Sequence, residues 1–269
     1  MNRILTLILT AVFMLVGACS AVPASKPYGV FLSVEENLMS LSSYELVVID
    51  AQNFSSDEIK QFRDAGHKVI SYINIGSLES FRDYYNDYSD LKLGSYEHWD
   101  EEVWIDVSSS RWQKFIVDEL IPSLIEQGID GFFVDNCDVY YNYQKPEILN
   151  GLTVMMKAMV ATGKDVIING GDCYLDAYCA SGGSWNDVIT GINQETVFSK
   201  ILWDSEKFGT ASASDKEYFC DYIERYTALG ADIYLLEYTT DKKLIYEIDS
   251  YCRRNEFKYY VSDSVELDG

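Results

Sequence analysis

Short apolar segments alternate with longer helical segments along most of the chain, and this alternation limits the possible folds more than any other feature. Eight short segments are rich in Val, Ile and Tyr: Tyr28–Leu32, Leu46–Asp50, Lys68–Ile75, Gly131–Asp135, Asp165–Asn169, Val188–Asn193, Asp232–Tyr238 and Lys258–Asp263. Five segments between them have a helical pattern: Ser56–Ala65, Ser109–Glu126, Lys145–Ala161, Ser214–Leu229 and Thr240–Asn255. Nearly continuous apolar strands that alternate with helices are typical of a parallel sheet covered on both faces.

The strand count and the chain length favour one architecture. Eight strands in a chain of 269 residues predict an α/β protein with a single (β/α)8 TIM barrel. A doubly wound open sheet is the alternative that the pattern leaves open. The connection after the third strand contains a Tyr-rich insertion, Phe81–Trp99, with Tyr84, Tyr85, Tyr88 and Tyr96. This insertion is either a lid packed on the barrel or a surface on which a polymer stacks.

The first 18 residues resemble a secretory leader. Arg3 precedes an apolar run from Ile4 to Val16, which is too short to span a bilayer because a spanning helix needs about 20 apolar residues. The run ends in Val-Gly-Ala-Cys, which resembles the lipobox of bacterial lipoproteins, whose cysteine becomes the lipid-modified first residue. Ordinary leader cleavage beside an incidental cysteine is the alternative. We expect residues 1–18 to be a lipoprotein signal peptide, 19–27 a tether and 28–269 the barrel domain.

The signal peptide would export the protein, and lipid attached at Cys19 would anchor it at the cell surface or at a membrane that faces the periplasm. Two acyl signals anchor a protein stably, whereas one gives only marginal membrane binding. We expect Cys19→Ala to move the protein from the membrane fraction to the soluble fraction, with the total amount of protein as the control. Retention of the Cys19→Ala variant in the membrane fraction would contradict the lipoprotein hypothesis.

The charge of the chain restricts its partners. Asp and Glu number 43 against 21 Lys and Arg, so the net charge is −22. Such a surface repels phosphate backbones and attracts polycations, and nucleic acid is therefore not an expected partner. The chain has two histidines, His67 and His98, so a histidine-rich metal centre is not expected either. We expect a monomer that needs no metal and no organic cofactor.

Export would permit disulfides, but the cysteines fit them poorly. Five cysteines remain if Cys19 carries lipid, and an odd number leaves at least one thiol free. Cys173 and Cys179 lie in what the pattern indicates is one short loop, where they could pair. Cys220 and Cys252 occur in helical patterns and fit small buried apolar positions.

Polar side chains end most of the predicted strands, at the edge where a parallel barrel builds its active site. These strand-end residues are Asp50, Tyr72, Asn74, Asp135, Asn136, Asn169, Asp172, Asn193, Gln194, Glu195, Glu237, Tyr238 and Asp263. Carboxylates, amides and tyrosines on one rim suit a sugar, because acetal cleavage uses two carboxyl groups and hydroxyls bind to amides and aromatic faces. The alternative for any single aspartate is that it caps the following helix.

Gly128–Asp138, with the sequence GIDGFFVDNCD, resembles the signature of glycoside hydrolase family 114, the endo-α-1,4-polygalactosaminidases. Other segments resemble that family's motifs in the same order: Leu46–Gln52, Val69–Gly76, Trp104–Trp112 and Asn193–Val197. The resemblance extends from about Tyr28 to Ser264. It implies a TIM barrel that hydrolyses α-1,4-linked galactosamine polymers by a retaining mechanism.

The resemblance also implies roles for individual residues. Asp135 matches the nucleophile on the family's fourth strand, and Glu195 matches the acid/base on its sixth. The residues expected to bind the substrate, assigned from their positions at strand ends, are Asp50, Tyr72, Asn74, Asp138, Asn169, Glu237 and Tyr238. Glu237 departs from the family pattern, in which an aspartate is expected before the tyrosine.

Two other functions remain open at the level of the sequence. The chain could be a non-catalytic lipoprotein that binds glycans for a transporter, but binding alone requires neither Asp135 nor Glu195. It could instead hydrolyse another α-linked galactoside, because the sequence does not show which of these sugars the site accepts.

Overall fold

The computed structural model describes residues 26–269, and the predicted leader and Cys19 lie outside the described residues. Eight parallel strands form a nearly closed barrel: Gly29–Phe31, Leu46–Ile49, Lys68–Asn74, Gly131–Asp135, Asp165–Asn169, Gly191–Glu195, Asp232–Tyr238 and Lys258–Ser262. They pair in chain order from the first strand to the eighth. At the seam between these two strands, the rings of Phe31 and Tyr260 lie 5.2 Å apart. The barrel prediction is confirmed, because a doubly wound sheet would reverse the strand order.

Side chains alternate along each strand and divide the apolar residues into two layers. Val48 and Phe133 point into the barrel and belong to the inner layer. Their neighbours Val47 and Phe132 point outward and pack beneath the helices. Both faces of the first seven strands are therefore largely buried, which explains why these strands read as nearly continuous apolar runs, whereas the eighth strand is mostly half-buried.

The outer layer consists of helices that follow the strands. The longer ones are Ser56–Asp64, Pro146–Ala161, Asp172–Ala180, Ala213–Ala228 and Lys242–Asn255, together with the consecutive segments Ser110–Phe115, Ile116–Leu120 (a π-helical turn) and Ile121–Gln127. Shorter ones are Leu38–Leu41, Ala51–Asn53, Val139–Asn142 and Trp185–Asp187. No helix within residues 26–269 has the length and apolarity to cross a membrane.

The segment around Cys173 and Cys179 differs from the prediction, because it forms the helix Asp172–Ala180 instead of a loop. The two cysteines are six positions apart in this helix, so their Cα atoms are separated by about 9 Å along its axis, too far for a disulfide. Both cysteines are free. Cys252 is buried as predicted, whereas Cys220 is only half-buried.

Two antiparallel elements extend the barrel beyond the carboxyl ends of its strands. After the third strand come the strands Ser77–Glu79, Lys92–Ser95 and Glu102–Ile105, with short helices at Tyr85–Tyr88 and Ser89–Leu91. After the sixth strand comes a hairpin of Ser199–Leu202 and Lys207–Thr210, with a helical turn at Trp203–Ser205. The two elements touch, because the rings of His98 and Trp203 stack 4.7 Å apart.

Candidate active site

A cavity of about 870 Å³ opens at the carboxyl ends of the barrel strands. Seven of the nine residues predicted to act on or bind a substrate line it: Asp50, Tyr72, Asp135, Asp138, Asn169, Glu195 and Tyr238. Asn74 and Glu237 do not line it, and their contacts are described below. Most of the predicted constellation is thus brought together on one face of the barrel.

Asn169 bridges the two carboxylates assigned as nucleophile and acid/base. Its Nδ2 donates to Asp135 Oδ1 at 2.9 Å and to Glu195 Oε1 at 2.7 Å. Because both hydrogen bonds start at one nitrogen, the two acceptor oxygens are no more than about 5.6 Å apart, the sum of the two lengths. The two carboxyl groups therefore face the same small volume of the cavity.

A buried chain of hydrogen bonds orients this amide. Tyr28 donates to Asn193 Oδ1 at 3.0 Å, and Asn193 Nδ2 donates to Asn169 Oδ1 at 2.7 Å. Asn193 is fully buried. Since the amide oxygen of Asn169 is engaged by a donor, its NH2 group must face Asp135 and Glu195.

The surroundings of Glu195 favour its protonated form. Burial, followed by the negative charge of Asp135, raises the pKa of Glu195 to about 7. Tyr238 donates its hydroxyl proton to Glu195 Oε2 at 2.9 Å and partly offsets this effect. Burial also raises the pKa of Asp135 above its ordinary value, while hydrogen bonds from Asn169 and from the backbone of Asn136 lower it. A carboxyl group whose pKa lies near neutrality is suited to give up a proton and then to take one back.

A buried ionic cluster forms the wall beside the second and third strands. Arg82 Nη1 lies 2.6 Å from Asp50 Oδ2, and its Nε lies 2.5 Å from Glu79 Oε2. Tyr72 donates its hydroxyl proton to Glu79 Oε1 at 3.1 Å. Burial raises the pKa of Glu79, and the adjacent guanidinium opposes that rise. Asp50 is therefore paired with Arg82. The sequence pattern does not predict that Glu79 and Arg82 belong to the site, because both lie in the segment that follows the third strand.

A second carboxylate from that segment, Glu102, also lines the cavity. Ser77 donates to Glu102 Oε2 at 2.6 Å, and Asn136 Nδ2 donates to Ser77 Oγ at 3.0 Å. Burial raises the pKa of Glu102 to about 7. Asn74 belongs to this group and not to the cavity lining, because its amide donates to Ser77 Oγ at 2.7 Å and its Oδ1 accepts from the N–H of Ser77 at 2.9 Å. Asn74 thus orders this segment where it leaves the third strand.

Gly76 permits the close approach on which this wall depends. A Cβ atom at Gly76 would lie 1.7 Å from the backbone oxygen of Asn136. Asn136 itself adopts a left-handed conformation with φ 63°. The glycine of the third-strand motif is therefore required because any side chain would collide with the turn that follows Asp135.

Asp138 lines the cavity beside the fifth-strand turn. Burial raises the pKa of Asp138 to about 7, and the charges of Asp172 and Asp135 contribute to the rise. It sits close to Gly170, since a Cβ atom there would lie 3.2 Å from Asp138 Oδ2. Asp138 is thus a third carboxyl group close to the Asp135–Glu195 pair.

Glu237 points away from the cavity and is fully buried. Its carboxylate accepts hydrogen bonds from the backbone N–H groups of Phe198 and Ser199. Burial raises the pKa of Glu237 to about 7. Its assignment as a substrate-binding residue is not supported, because the alternating directions of strand side chains turn Leu236 and Tyr238 inward and Glu237 outward.

The aromatic residues of the segment Phe81–Trp99 divide into two sets. Tyr84 and Tyr88 pack on Phe115 with ring centroids 4.6 and 4.9 Å away. Tyr96 and Trp99 line the cavity instead, and Tyr96 donates its hydroxyl proton to Asn136 Oδ1 at 2.8 Å. Tyr84 and Tyr88 therefore pack against the outer helix Ser110–Phe115, whereas Tyr96 and Trp99 present aromatic surface to the cavity.

Acidic groups dominate the cavity lining. The carboxylate residues are Asp50, Glu79, Glu97, Glu101, Glu102, Asp135, Asp138, Glu195 and Glu266. Among the described residues that line it, Arg82 is the one lysine or arginine. Arg82 is paired with Asp50 and Glu79, so the remaining field in the cavity is negative and attracts cations. No group of three or more His, Cys, Asp or Glu between residues 26 and 269 is arranged to hold a metal ion.

Two solved structures that share this fold come from a bacterium and a fungus. The glycoside hydrolase domain of PelA from Pseudomonas aeruginosa superposes with a TM-score of 0.74 at 15% identity, over 90% of this chain and 96% of that domain. Aspergillus fumigatus Ega3, solved in complex with galactosamine, superposes with a TM-score of 0.70 at 17% identity, over 91% of this chain and 93% of Ega3. At these identities the likeness establishes the fold.

Sequence comparison connects the chain to a family. An uncharacterized protein from Thermotoga maritima is 25% identical over an alignment of 170 positions, and the match covers 56% of this chain and 52% of that protein. The match thus spans about half the length of this relative. The model of glycoside-hydrolase family GH114 matches residues 24–169, more than half of the chain and the part that carries Asp50, Tyr72, Asp135 and Asn169. The chain belongs to glycoside-hydrolase family GH114.

Proposed function

We propose that the protein is a retaining hydrolase of α-1,4-linked galactosamine-containing polysaccharide, with Asp135 as nucleophile and Glu195 as acid/base. The observation that carries the mechanism is the single Asn169 amide that bonds both carboxylates. It limits their facing oxygens to about 5.6 Å. Retaining glycosidases hold the two carboxyl groups about 5–5.5 Å apart, whereas inverting ones need about 6.5–9.5 Å to admit a water molecule.

In the first step, an oxygen of Asp135 attacks the anomeric carbon while Glu195 gives its proton to the departing glycosidic oxygen. In the second step, Glu195 takes a proton from a water molecule, which attacks the same carbon and releases the carboxylate of Asp135. The net configuration at the anomeric carbon is retained. Tyr238 and Asn169 hold Glu195 in place through both steps by hydrogen bonds to its two oxygens.

The excess of carboxylates in the cavity supports a cationic substrate. A polymer of galactosamine with free amino groups is positively charged, and a negative cavity attracts it and speeds its arrival. Neutral galactosides gain nothing from this field. Ega3, whose likeness to this chain is one of fold, was solved with galactosamine, and an amino sugar of that kind is the substrate that the charge of the cavity favours.

The experiment that tests this proposal is the release of reducing ends from a panel of α-linked oligomers. The panel contains galactosamine, N-acetylgalactosamine and galactose oligomers of equal length. We expect the fastest cleavage with the galactosamine oligomers and a rate that falls as salt screens the cavity. Faster cleavage of galactose oligomers would reject the substrate, and binding of the oligomers without any cleavage would favour the glycan-binding alternative.

The pH dependence of the activity should follow the protonation states of Asp135 and Glu195. Glu195 must be protonated and Asp135 ionised at the start of the reaction, so kcat/KM should fall above pH 7 as Glu195 loses its proton and fall again in acid as Asp135 gains one. The measurement is kcat/KM against pH with a galactosamine oligomer. A dinitrophenyl glycoside, whose leaving group needs no proton, serves as the control and should lack the alkaline decline. Activity on the oligomer that continues to rise well above this pKa would count against Glu195 as the acid.

A further inference from the structure

Glu237 is a fully buried carboxylate that is surrounded by hydrogen-bond donors. It accepts hydrogen bonds from the N–H of Phe198 at 3.0 Å, the N–H of Ser199 at 2.8 Å and the hydroxyl of Ser199 at 2.5 Å. A carboxylate tolerates such burial only when its lone pairs are filled. The donors come from the loop that follows the sixth strand, so Glu237 ties this loop to the end of the seventh strand.

The loop that Glu237 holds begins directly after Glu195. Thr196 has a φ of 54°, which is a strained left-handed conformation for a β-branched residue. Strained backbone persists only where neighbouring contacts hold it in place. Glu237 supplies such contacts two and three residues beyond the strained position, at Phe198 and Ser199.

Ser199 extends the same network to the other side of Glu195. Its Oγ accepts a hydrogen bond from the N–H of Tyr238 at 2.9 Å while it donates to Glu237. The hydroxyl of Tyr238 in turn donates to Glu195 Oε2 at 2.9 Å. Glu237 is therefore connected to Glu195 along the backbone of the loop and also through Ser199 and Tyr238.

We propose that Glu237 is a positioning residue that fixes the place and direction of the Glu195 carboxyl group without touching the sugar. This inference rests on the role proposed above for Glu195. A glutamine at this position keeps one acceptor oxygen but turns its NH2 group toward one of the two backbone N–H groups of the loop, and an aspartate would withdraw the carboxylate by one methylene. Either change should release the loop and let the Glu195 side chain move into the open cavity.

The first test follows the titration of Glu195 by ¹³C NMR of glutamate carboxyl groups, with the signal assigned by its loss in Glu195→Gln. Glu237→Asp keeps a carboxyl group and moves it by one methylene, so the variant changes the position of the group and not its chemical type. Because burial is the largest cause of the raised pKa of Glu195, we expect its midpoint to move from about pH 7 toward the ordinary glutamate value in this variant. An unchanged midpoint in a folded Glu237→Asp protein would overturn the proposal.

The second test compares two leaving groups in Glu237→Asp and Glu237→Gln. A displaced acid slows cleavage of a galactosamine oligomer, and we expect a loss of about tenfold or more. A dinitrophenyl α-galactosaminide needs no protonation of its leaving group, so we expect a loss of less than about threefold. Equal losses on both substrates would indicate a general structural defect and overturn the positioning role.

Asp130→Asn provides the matched control. Asp130 also clamps backbone across two strands, since its Oδ2 accepts from the N–H of Val69 at 2.9 Å, but it lies at the opposite end of the barrel. This variant should change neither the Glu195 titration nor the ratio of the two rates. If the unsubstituted enzyme cleaves neither substrate, the proposed function fails, whereas the titration still decides whether Glu237 positions Glu195.

Discussion

Asp135→Asn and Glu195→Gln should each lower turnover of a galactosamine oligomer on the order of 10³-fold or more while leaving the fold intact. Each change keeps the size of the side chain and removes the group that attacks carbon or donates the proton. The measurement is reducing-end release under saturating substrate, with thermal unfolding to verify the fold. Asp130→Asn, the same substitution at the other end of the barrel, is the control and should retain activity. Cleavage near the native rate by either site variant would reject the assignment.

The two residues differ in how they can be rescued. In Asp135→Ala, azide can occupy the vacated space and attack the anomeric carbon directly, so we expect a glycosyl azide of inverted configuration. In Glu195→Ala, an activated leaving group departs without a proton, and azide then attacks the glycosyl-Asp135 intermediate to give a product of retained configuration. Opposite stereochemistry in the two variants would identify each role. A native product of inverted configuration would reject the retaining mechanism itself.

Arg82→Met should destabilise the protein by about 3–5 kcal/mol, because it removes the partner of two buried carboxylates. The side chains of Arg82, Asp50 and Glu79 are each at most 7% exposed, so solvent cannot replace the lost guanidinium. The measurement is the free energy of unfolding in urea. Arg111→Met is the matched control: its pair with Asp90 is more than half exposed, and an exposed pair contributes about 0–1 kcal/mol. Equal effects at the two arginines would contradict the importance of the buried cluster.

The loss of stability in Arg82→Met should depend on pH in a definite direction. Burial already raises the pKa of Glu79 in the folded protein, and removal of the opposing guanidinium raises it further. The folded variant then binds a proton more readily than the unfolded chain does, so its stability falls as the pH rises from about 4.3 through the folded pKa. The difference from the unsubstituted protein should narrow in acid, and a difference that widens there would contradict this account.

The predicted barrel and most of its candidate site follow from local patterns. Most barrel strands are buried on both faces and are therefore visible as apolar runs. A parallel barrel must place all of their carboxyl ends on one side. Asp135, Asn169 and Glu195 each stand two positions after an inward-facing residue of their own strand. Their convergence on one cavity is therefore a consequence of strand register alone.

The remaining features of the site depend on contacts between segments that are far apart in the sequence. Glu79 and Arg82 come from a segment without strand periodicity, and their pairing with Asp50 depends on how that segment folds back over the barrel. Glu237 follows an inward-facing leucine, so the alternation of side chains along the strand turns it outward. Its position at the end of a strand, taken alone, instead suggests that it faces the cavity. Local sequence thus specifies which residues end the strands. Two features arise only in the folded chain: the hydrogen bonds by which Asn169 bridges Asp135 and Glu195, and the support that Glu237 gives to the loop after Glu195. Both depend on tertiary structure because the donors around a buried carboxylate come from segments far apart in the sequence.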